Sequence, residues 1–259
     1  VNVGVHRIPD TRNLGPVSLT TVIAKSSNVG MTKMALSLPA ESIRQTLTAF
    51  GFGEVSGSGF PGESAGLLND TRHWGRIGQA TISYGYGLSV TPLQLARAYA
   101  TLGAGGIKRR VTLRRVEGPV EGERVIEERV AKELLAMMES VVASQEGTGK
   151  RAALNGYRVA GKTGTARKAL PGGGYGTGGD YKYIVSFGGV VPASRPRLAA
   201  VVVIDEPSGS EYYAGEVAAP VFANVMAGAL RLLGVPPDGL ERLPTTTLAR
   251  ASHEPGRAR

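Results

Sequence analysis

The sequence contains no cysteine, which excludes disulfides, thiol nucleophiles and cysteine-ligated metals. That absence is compatible with an oxidising compartment but does not require one. Its three histidines, His6, His73 and His253, stand alone without metal-ligand spacing, so no metal and no cofactor is expected. Aromatic residues make up only 6% of the chain, too few for a nucleic-acid surface built on base stacking. No stretch approaches the roughly 18 consecutive apolar residues of a membrane span. The longest apolar run, Leu198 to Ile204, has the length of a buried strand. Tyr84-Gly85-Tyr86-Gly87 is glycine-rich, but no Gly-Lys-Ser/Thr follows it, so it is not a phosphate loop. No secretory signal is present, and the first residue is Val1, which reads as a processed or trimmed piece.

What remains is ordinary globular material. The chain has 259 residues, 42% of them apolar, enough for one substantial core. The net charge of +9 comes mostly from arginine. The basic residues are scattered, apart from Lys108-Arg109-Arg110 with Arg114-Arg115 and the arginines near the C-terminus. This reads as a solvated basic surface that tolerates anionic neighbours such as lipid head groups or cell-wall polymers. Nucleic acid is not an expected partner.

Helical signals dominate the first half. Ser18 is a plausible N-cap for a helix to Lys25, Val29 to Leu36 resumes it, and Pro39 opens a third that Gly51 stops. Residues 51–66 are glycine-rich loop. Thr91-Pro92 opens a further helix with a hydroxyl cap and proline in the first turn, ended by Gly103, Gly105 and Gly106. Val111 to Val125 reads as a β-ribbon turning at Gly118-Pro119, and Glu127 to Val142 as a helix. Three strands follow, Tyr157 to Ala166, Tyr183 to Val191 and Leu198 to Ile204, then a last helix from Pro220 to Leu233. Helices, then adjacent strands with short links, then a helix is an α+β order with an antiparallel sheet. One domain over residues 1–236 is expected, with 237–259 as a disordered tail rich in proline, threonine and arginine.

Lys162-Thr163-Gly164-Thr165 carries the clearest chemistry. Lysine supplies charge, the two threonines supply hydrogen bonds, and glycine lets a ligand approach closely, which together can form a wall for a carboxylate. Alone, Lys162 also reads as an ordinary strand-end lysine. Ser26-Ser27-Asn28, taken alone, is a helix-ending cap.

Read together these blocks resemble the class B penicillin-binding proteins, most closely their division-specific type. The resemblance is carried by residues 23–30 around Ser26-Ser27-Asn28, residues 84–96 from Tyr84 to Ala96, and residues 160–168 around Lys162-Thr163-Gly164. Gly147-Thr148-Gly149, Ile204-Asp205-Glu206-Pro207 and Ala219-Pro220-Val221-Phe222 agree less specifically. The resemblance implies a penicillin-binding, serine β-lactamase-like fold with a five-stranded antiparallel sheet between helices, of which this chain supplies three strands. It implies a D,D-transpeptidase that cross-links peptidoglycan stem peptides ending in D-Ala-D-Ala, through a serine acyl-enzyme that β-lactam antibiotics trap. In that reading Ser26 relays protons, Asn28 holds the substrate amide, and Lys162 bonds the Ser26 hydroxyl. Thr163 and Thr165 bind the terminal carboxylate, Gly164 keeps the approach open, and Tyr183, Tyr212 and Tyr213 line the cleft. Implied partners are a divisome glycosyltransferase and scaffold proteins, and the implied location is the periplasmic side of a bacterial inner-membrane anchor.

The chain departs from the family in one respect: the nucleophilic Ser-x-x-Lys occurs nowhere in it. Only 25 residues precede Ser26, so the expectation is a nucleophile on a preceding segment, which is then itself a partner of this chain. Two rival readings are a serine β-lactamase or D,D-carboxypeptidase, which would need its own Ser-x-x-Lys, and a catalytically silent penicillin-recognition module.

Overall fold

The structure is a computed structural model and describes residues 1–118, 120–176, 181–209 and 211–239. Three short helices lead: α1 (Leu19–Ala24), α2 (Asn28–Leu36) and α3 (Ala40–Ala49). Ser18 caps α1 through Thr21 N, and Gly51, at φ 93°, turns the chain away after α3. A fourth helix, α4 (Gly75–Ile82), packs on α2 and was not anticipated from the sequence. Its eight residues include two glycines and an exposed arginine, which dilute the apolar repeat. Two-residue ladders, β1 (Asn2–Val3) with β2 (His6–Arg7) and β3 (Leu67–Leu68) with β4 (Leu88–Ser89), tie loops together.

The fifth helix, α5 (Pro92–Gly103), starts from a capping box: Gln94 N donates to Thr91 Oγ1, and Thr91 N donates to Gln94 Oε1. Buried Gln94 also donates to the carbonyls of Glu54 and Ala65 at 2.7 and 2.8 Å, so a single amide fastens the glycine-rich loop to α5. The expected ribbon exists, but its strands are β5 (Ile107–Arg109) and β6 (Gly122–Arg124). The first strand therefore lies before the expected start at Val111, where Gly106, at φ 87°, lets the chain leave α5 and pair at once. Pro119 of the expected turn lies outside the described residues.

The sixth helix, α6 (Glu128–Ala143), precedes the antiparallel sheet β7 (Ala160–Arg167), β8 (Tyr183–Val191) and β9 (Leu198–Asp205), in the order β7-β8-β9. These are the three strands assigned to this chain. Short α7 (Ala214–Val217) and long α8 (Ala219–Leu232) follow. Alternation along β8 separates two cores. Phe187 and Val191 face α8, where Phe222, Met226 and Leu230 are fully or nearly fully buried. Val190 faces the opposite way, with Leu135 and Met138 of α6 and Tyr99 of α5. Gly188 admits that face's aromatic ring, because a Cβ there would lie 2.2 Å from Tyr99. The sheet is thus clad on both faces, as the apolar β9 requires.

Beyond α8, Asp238 accepts hydrogen bonds from Arg158 N and Ser194 N, and Gly239 N donates to Gly156 O. The first residues of the expected tail are therefore tied to the domain, and 240–259 lie outside the described residues. Among the described residues no helix is long and apolar enough to cross a membrane.

Phe187 joins the parts: its ring stacks obliquely on Phe222 at 4.8 Å and fills the space beside Gly149 and Gly161. Phe187→Ala is expected to cost about 3–5 kcal/mol, read as a lowered urea midpoint relative to the parent chain.

Candidate active site

Ser26 occupies the turn between α1 and α2. Its N–H donates to Ile23 O, and that of Ser27 donates to Val22 O at 2.9 Å, the paired bonds of a Schellman ending. That ending needs a left-handed residue, and Ser26 takes it at φ 56°, where glycine is the usual choice. A non-glycine residue held there is backbone strain at the very position whose hydroxyl matters.

The turn is clamped from three sides. Asp10, absent from the expectations above, accepts from Ser27 Oγ at 2.6 Å and from Val29 N at 3.0 Å. Its carboxylate sits at the N-terminus of α2, where the helix dipole favours it. Ser27 Oγ in turn accepts from Gly30 N and caps α2. On the other side Lys25 pairs with Glu146 at 2.6 Å, and Glu146 also binds Arg12. Thr148 N donates to Ala24 O, which brings the loop after α6 against the end of α1. Asp10 stands 17 positions from Ser27, so no local pattern signals it. Thr148 belongs to the Gly-Thr-Gly agreement, but only the fold gives it a contact.

From the sheet comes Lys162, on edge strand β7. It donates to Ser26 Oγ across 136 residues of sequence, and to Thr163 O at 3.0 Å. Burial holds its ammonium down, to a pKa of about 8. Among the described residues no carboxylate lies within ion-pair distance to offset that, and desolvation is the sole cause of the shift. Thr163 Oγ1 shares a hydrogen bond with Thr148 Oγ1 at 2.8 Å. Thr165 Oγ1 accepts from Ala214 N at 3.1 Å, which ties the start of α7 to β7. Gly164 leaves room against Ser186 Oγ, which a Cβ would approach to 2.7 Å.

Ser26, Asn28, Lys162, Thr163, Gly164 and Thr165 thus line one cavity of about 460 Å³. Its polar wall offers an ammonium, hydroxyls and an amide, the donors that hold a peptide with a terminal carboxylate. Its other wall, with Val22, Leu95, Tyr99, Leu102 and Met138, is apolar. Tyr183, Tyr212 and Tyr213 do not line this cavity. They form a separate stack past Thr165, with ring centroids 4.3 Å apart for Tyr183–Tyr212 and 4.5 Å for Tyr212–Tyr213. The reason is register: Tyr183 pairs with Arg167, two residues beyond Thr165. The hydrogen bond to Tyr213 and burial push the Tyr212 phenol up to about 12. Tyr84, from the block that carried the resemblance, lines the cavity instead. Among the described residues no cluster of histidine, aspartate or glutamate could hold a metal ion.

Two outcomes follow from this geometry. At a left-handed position glycine is relaxed and alanine is not, so Ser26→Gly is expected to exceed Ser26→Ala in stability by about 1 kcal/mol by urea denaturation. Equal stability would mean that the turn is not held at positive φ. For Lys162, the folded chain binds fewer protons than the unfolded one between a pKa of about 8 and the ordinary 10.5. Its burial therefore opposes folding fully below pH 8 and ceases to as pH rises through that window. An NMR titration of the labelled lysine side chains should show one ε-position with a midpoint near 8.

The family description "Penicillin binding protein transpeptidase domain" matches residues 2–227. The peptidoglycan D,D-transpeptidase FtsI of Escherichia coli (strain K12) is 47% identical over 235 residues, which are 91% of this chain and 39% of that protein. The probable peptidoglycan D,D-transpeptidase PenA of Neisseria gonorrhoeae is 40% identical over 91% of this chain and 40% of its own length. This chain therefore spans about two fifths of these curated relatives. The apo structure of the TP domain of Burkholderia pseudomallei penicillin-binding protein 3 superposes with a TM-score of 0.82 at 42% identity, covering 89% of this chain and 69% of that one. With the fold, the two motif blocks and these likenesses in agreement, the chain belongs to the penicillin-binding protein transpeptidase family, on its class B, FtsI-like branch.

Proposed function

We propose that this chain is the substrate-recognising part of a serine D,D-transpeptidase that cross-links peptidoglycan during septal wall synthesis and is inactivated by β-lactams. The observation that carries this reading is the Lys162–Ser26 hydrogen bond, which brings two distant motif blocks onto one cavity. In the reaction a serine attacks the penultimate D-Ala carbonyl, D-Ala leaves, and the amine of a second stem peptide resolves the ester. Thr163, Thr165 and the charge on Lys162 receive the terminal carboxylate, and Asn28 holds the amide of the acyl donor. Ser26, bonded to a lysine whose burial brings its pKa to about 8, can pass a proton to the departing amine. The outer edge of β7, which pairs only with β8 among the described residues, can take an extended peptide as an added strand. The tyrosine stack lies where the far end of such a peptide would run.

The attacking serine is not among these residues, because no Ser-x-x-Lys occurs in the sequence. The apolar wall of the cavity suits a packed segment that presents that serine and its lysine opposite Lys162. Assembly with a glycosyltransferase and division scaffold, and a periplasmic site beside an inner-membrane anchor, belong to the same reading and rest on the family likeness.

The test is mass spectrometry of the complete protein, with its Ser-x-x-Lys segment, after exposure to a β-lactam. One covalent adduct is expected, and Lys162→Ala should slow its formation on the order of a hundredfold, as loss of an oriented donor does at acyl-transfer sites. No adduct on a folded complete protein would make this a silent recognition module. A rapidly hydrolysed adduct would make it a β-lactamase.

A further inference from the structure

The reverse face of α5 carries a second concavity, which the transpeptidase reading does not use. Leu95, Tyr99 and Leu102 of α5 face the first cavity, while Ala96, Ala100 and Ala104 floor this one, a groove of about 350 Å³. Its walls are β5 with the residues just after it, and the start of β9. Four arginines line it, Arg97, Arg109, Arg110 and Arg197, and no carboxylate does. This is where the Arg109-Arg110 pair singled out in the sequence comes to lie.

The four are not equivalent. Arg97 is held by Arg109 O at 3.1 Å and Ser56 O at 3.4 Å, and Arg109 by Val120 O at 3.1 Å, so two guanidinium groups are set in place with N–H groups to spare. The guanidinium groups of Arg110 and Arg197 have no hydrogen-bond or ion-pair partner among the described residues, although Arg197 N donates to Val191 O at 3.2 Å. The neighbouring basic residues are already engaged: Lys108 with Glu123 and Ala49 O, and Arg124 with Gly105 O and Ile126 O. Two unpartnered guanidinium groups, Arg110 and Arg197, therefore stand at the groove beside the two that are held in place. Guanidinium pairs bind carboxylates bidentately. A floor of alanine methyls accepts small side chains. No aromatic residue lines the groove, so single-stranded nucleic acid would find no stacking platform.

We propose that this groove binds an extended peptide carrying several carboxylates, at a site separate from the cavity of Ser26 and Lys162. The proposal does not depend on the transpeptidase reading. The probe is a fluorescein-labelled hexaglutamate peptide, followed by anisotropy against this chain. The double variant Arg110→Glu/Arg197→Glu should weaken binding at least tenfold. The uncharged Ala100→Leu, on an exposed helix position, should weaken it at least fivefold by filling the floor. The control Arg7→Glu/Arg231→Glu, with the same change in charge at exposed sites elsewhere, should shift it less than twofold. Equal weakening by the control, or no effect of Ala100→Leu, would reduce the groove to diffuse basic surface and overturn the proposal. So would displacement of the peptide by phosphatidylglycerol vesicles or oligo-dT as effectively as by unlabelled hexaglutamate. Circular dichroism of each variant separates lost binding from lost fold.

Discussion

The hydrogen bond from Lys162 to Ser26 is the constraint on which the rest of the architecture depends. It closes 136 residues of chain onto one point, so the helical half and the sheet half must hold register to within the reach of a side chain. Neither partner is relaxed. Ser26 sits at a positive φ, and the desolvated ammonium of half-buried Lys162 has no carboxylate within ion-pair distance among the described residues. The clamps around them are the compensation: Asp10 on the start of α2, Glu146 on Lys25, and Thr148 bridging from Ala24 O to Thr163.

Seen this way, the glycines of the sheet have a common purpose. Gly161, Gly188 and Gly189 allow Phe187, Tyr99 and the backbone of β7 to approach more closely than any side chain would permit. Close approach lets α5, α6 and the sheet pack as one body behind Lys162. The aromatic core on the α8 side does the same for the loop carrying Thr148, because Gly149 lies against the Phe187 ring. Packing far from the cavity thus positions the Thr148 hydroxyl, which in turn fixes the Thr163 hydroxyl on the cavity wall.

Much of this is legible in the sequence, for reasons that differ by element. Helix α5 declares itself because its start is local: a hydroxyl cap, a proline and a glutamine three positions on. The sheet is legible because β8 and β9 are long and β-branched. Ser26 and Lys162 are legible only through a family likeness, since neither a helix-end serine nor a strand lysine is diagnostic alone. The β5–β6 ribbon was displaced because its pairing is set by Gly106 and not by the hydrophobicity of residues 111–125. Asp10 and the separate tyrosine stack were out of reach. Both depend on which backbone atoms the tertiary fold brings opposite them, and no spacing rule encodes that.

The two faces of α5 show how one helix can serve unrelated purposes. Its inward residues close the cavity behind Lys162, while its outward alanines leave a groove ringed by arginines. Had those outward positions been large, the helix would have filled the space between the ribbon and β9, and the arginines would stand on an unbroken surface. Alanine methyls at the half-buried Ala96 and Ala104 and the exposed Ala100 bury little area, so stability alone gives no strong reason to prefer them. Arg97 strengthens the point. It gives hydrogen bonds to two backbone carbonyls, Arg109 O and Ser56 O, and in doing so it holds its charge beside the floor. A guanidinium already fixed at the wall loses less rotamer freedom when an anion binds, which favours binding at this groove over binding at a mobile surface arginine.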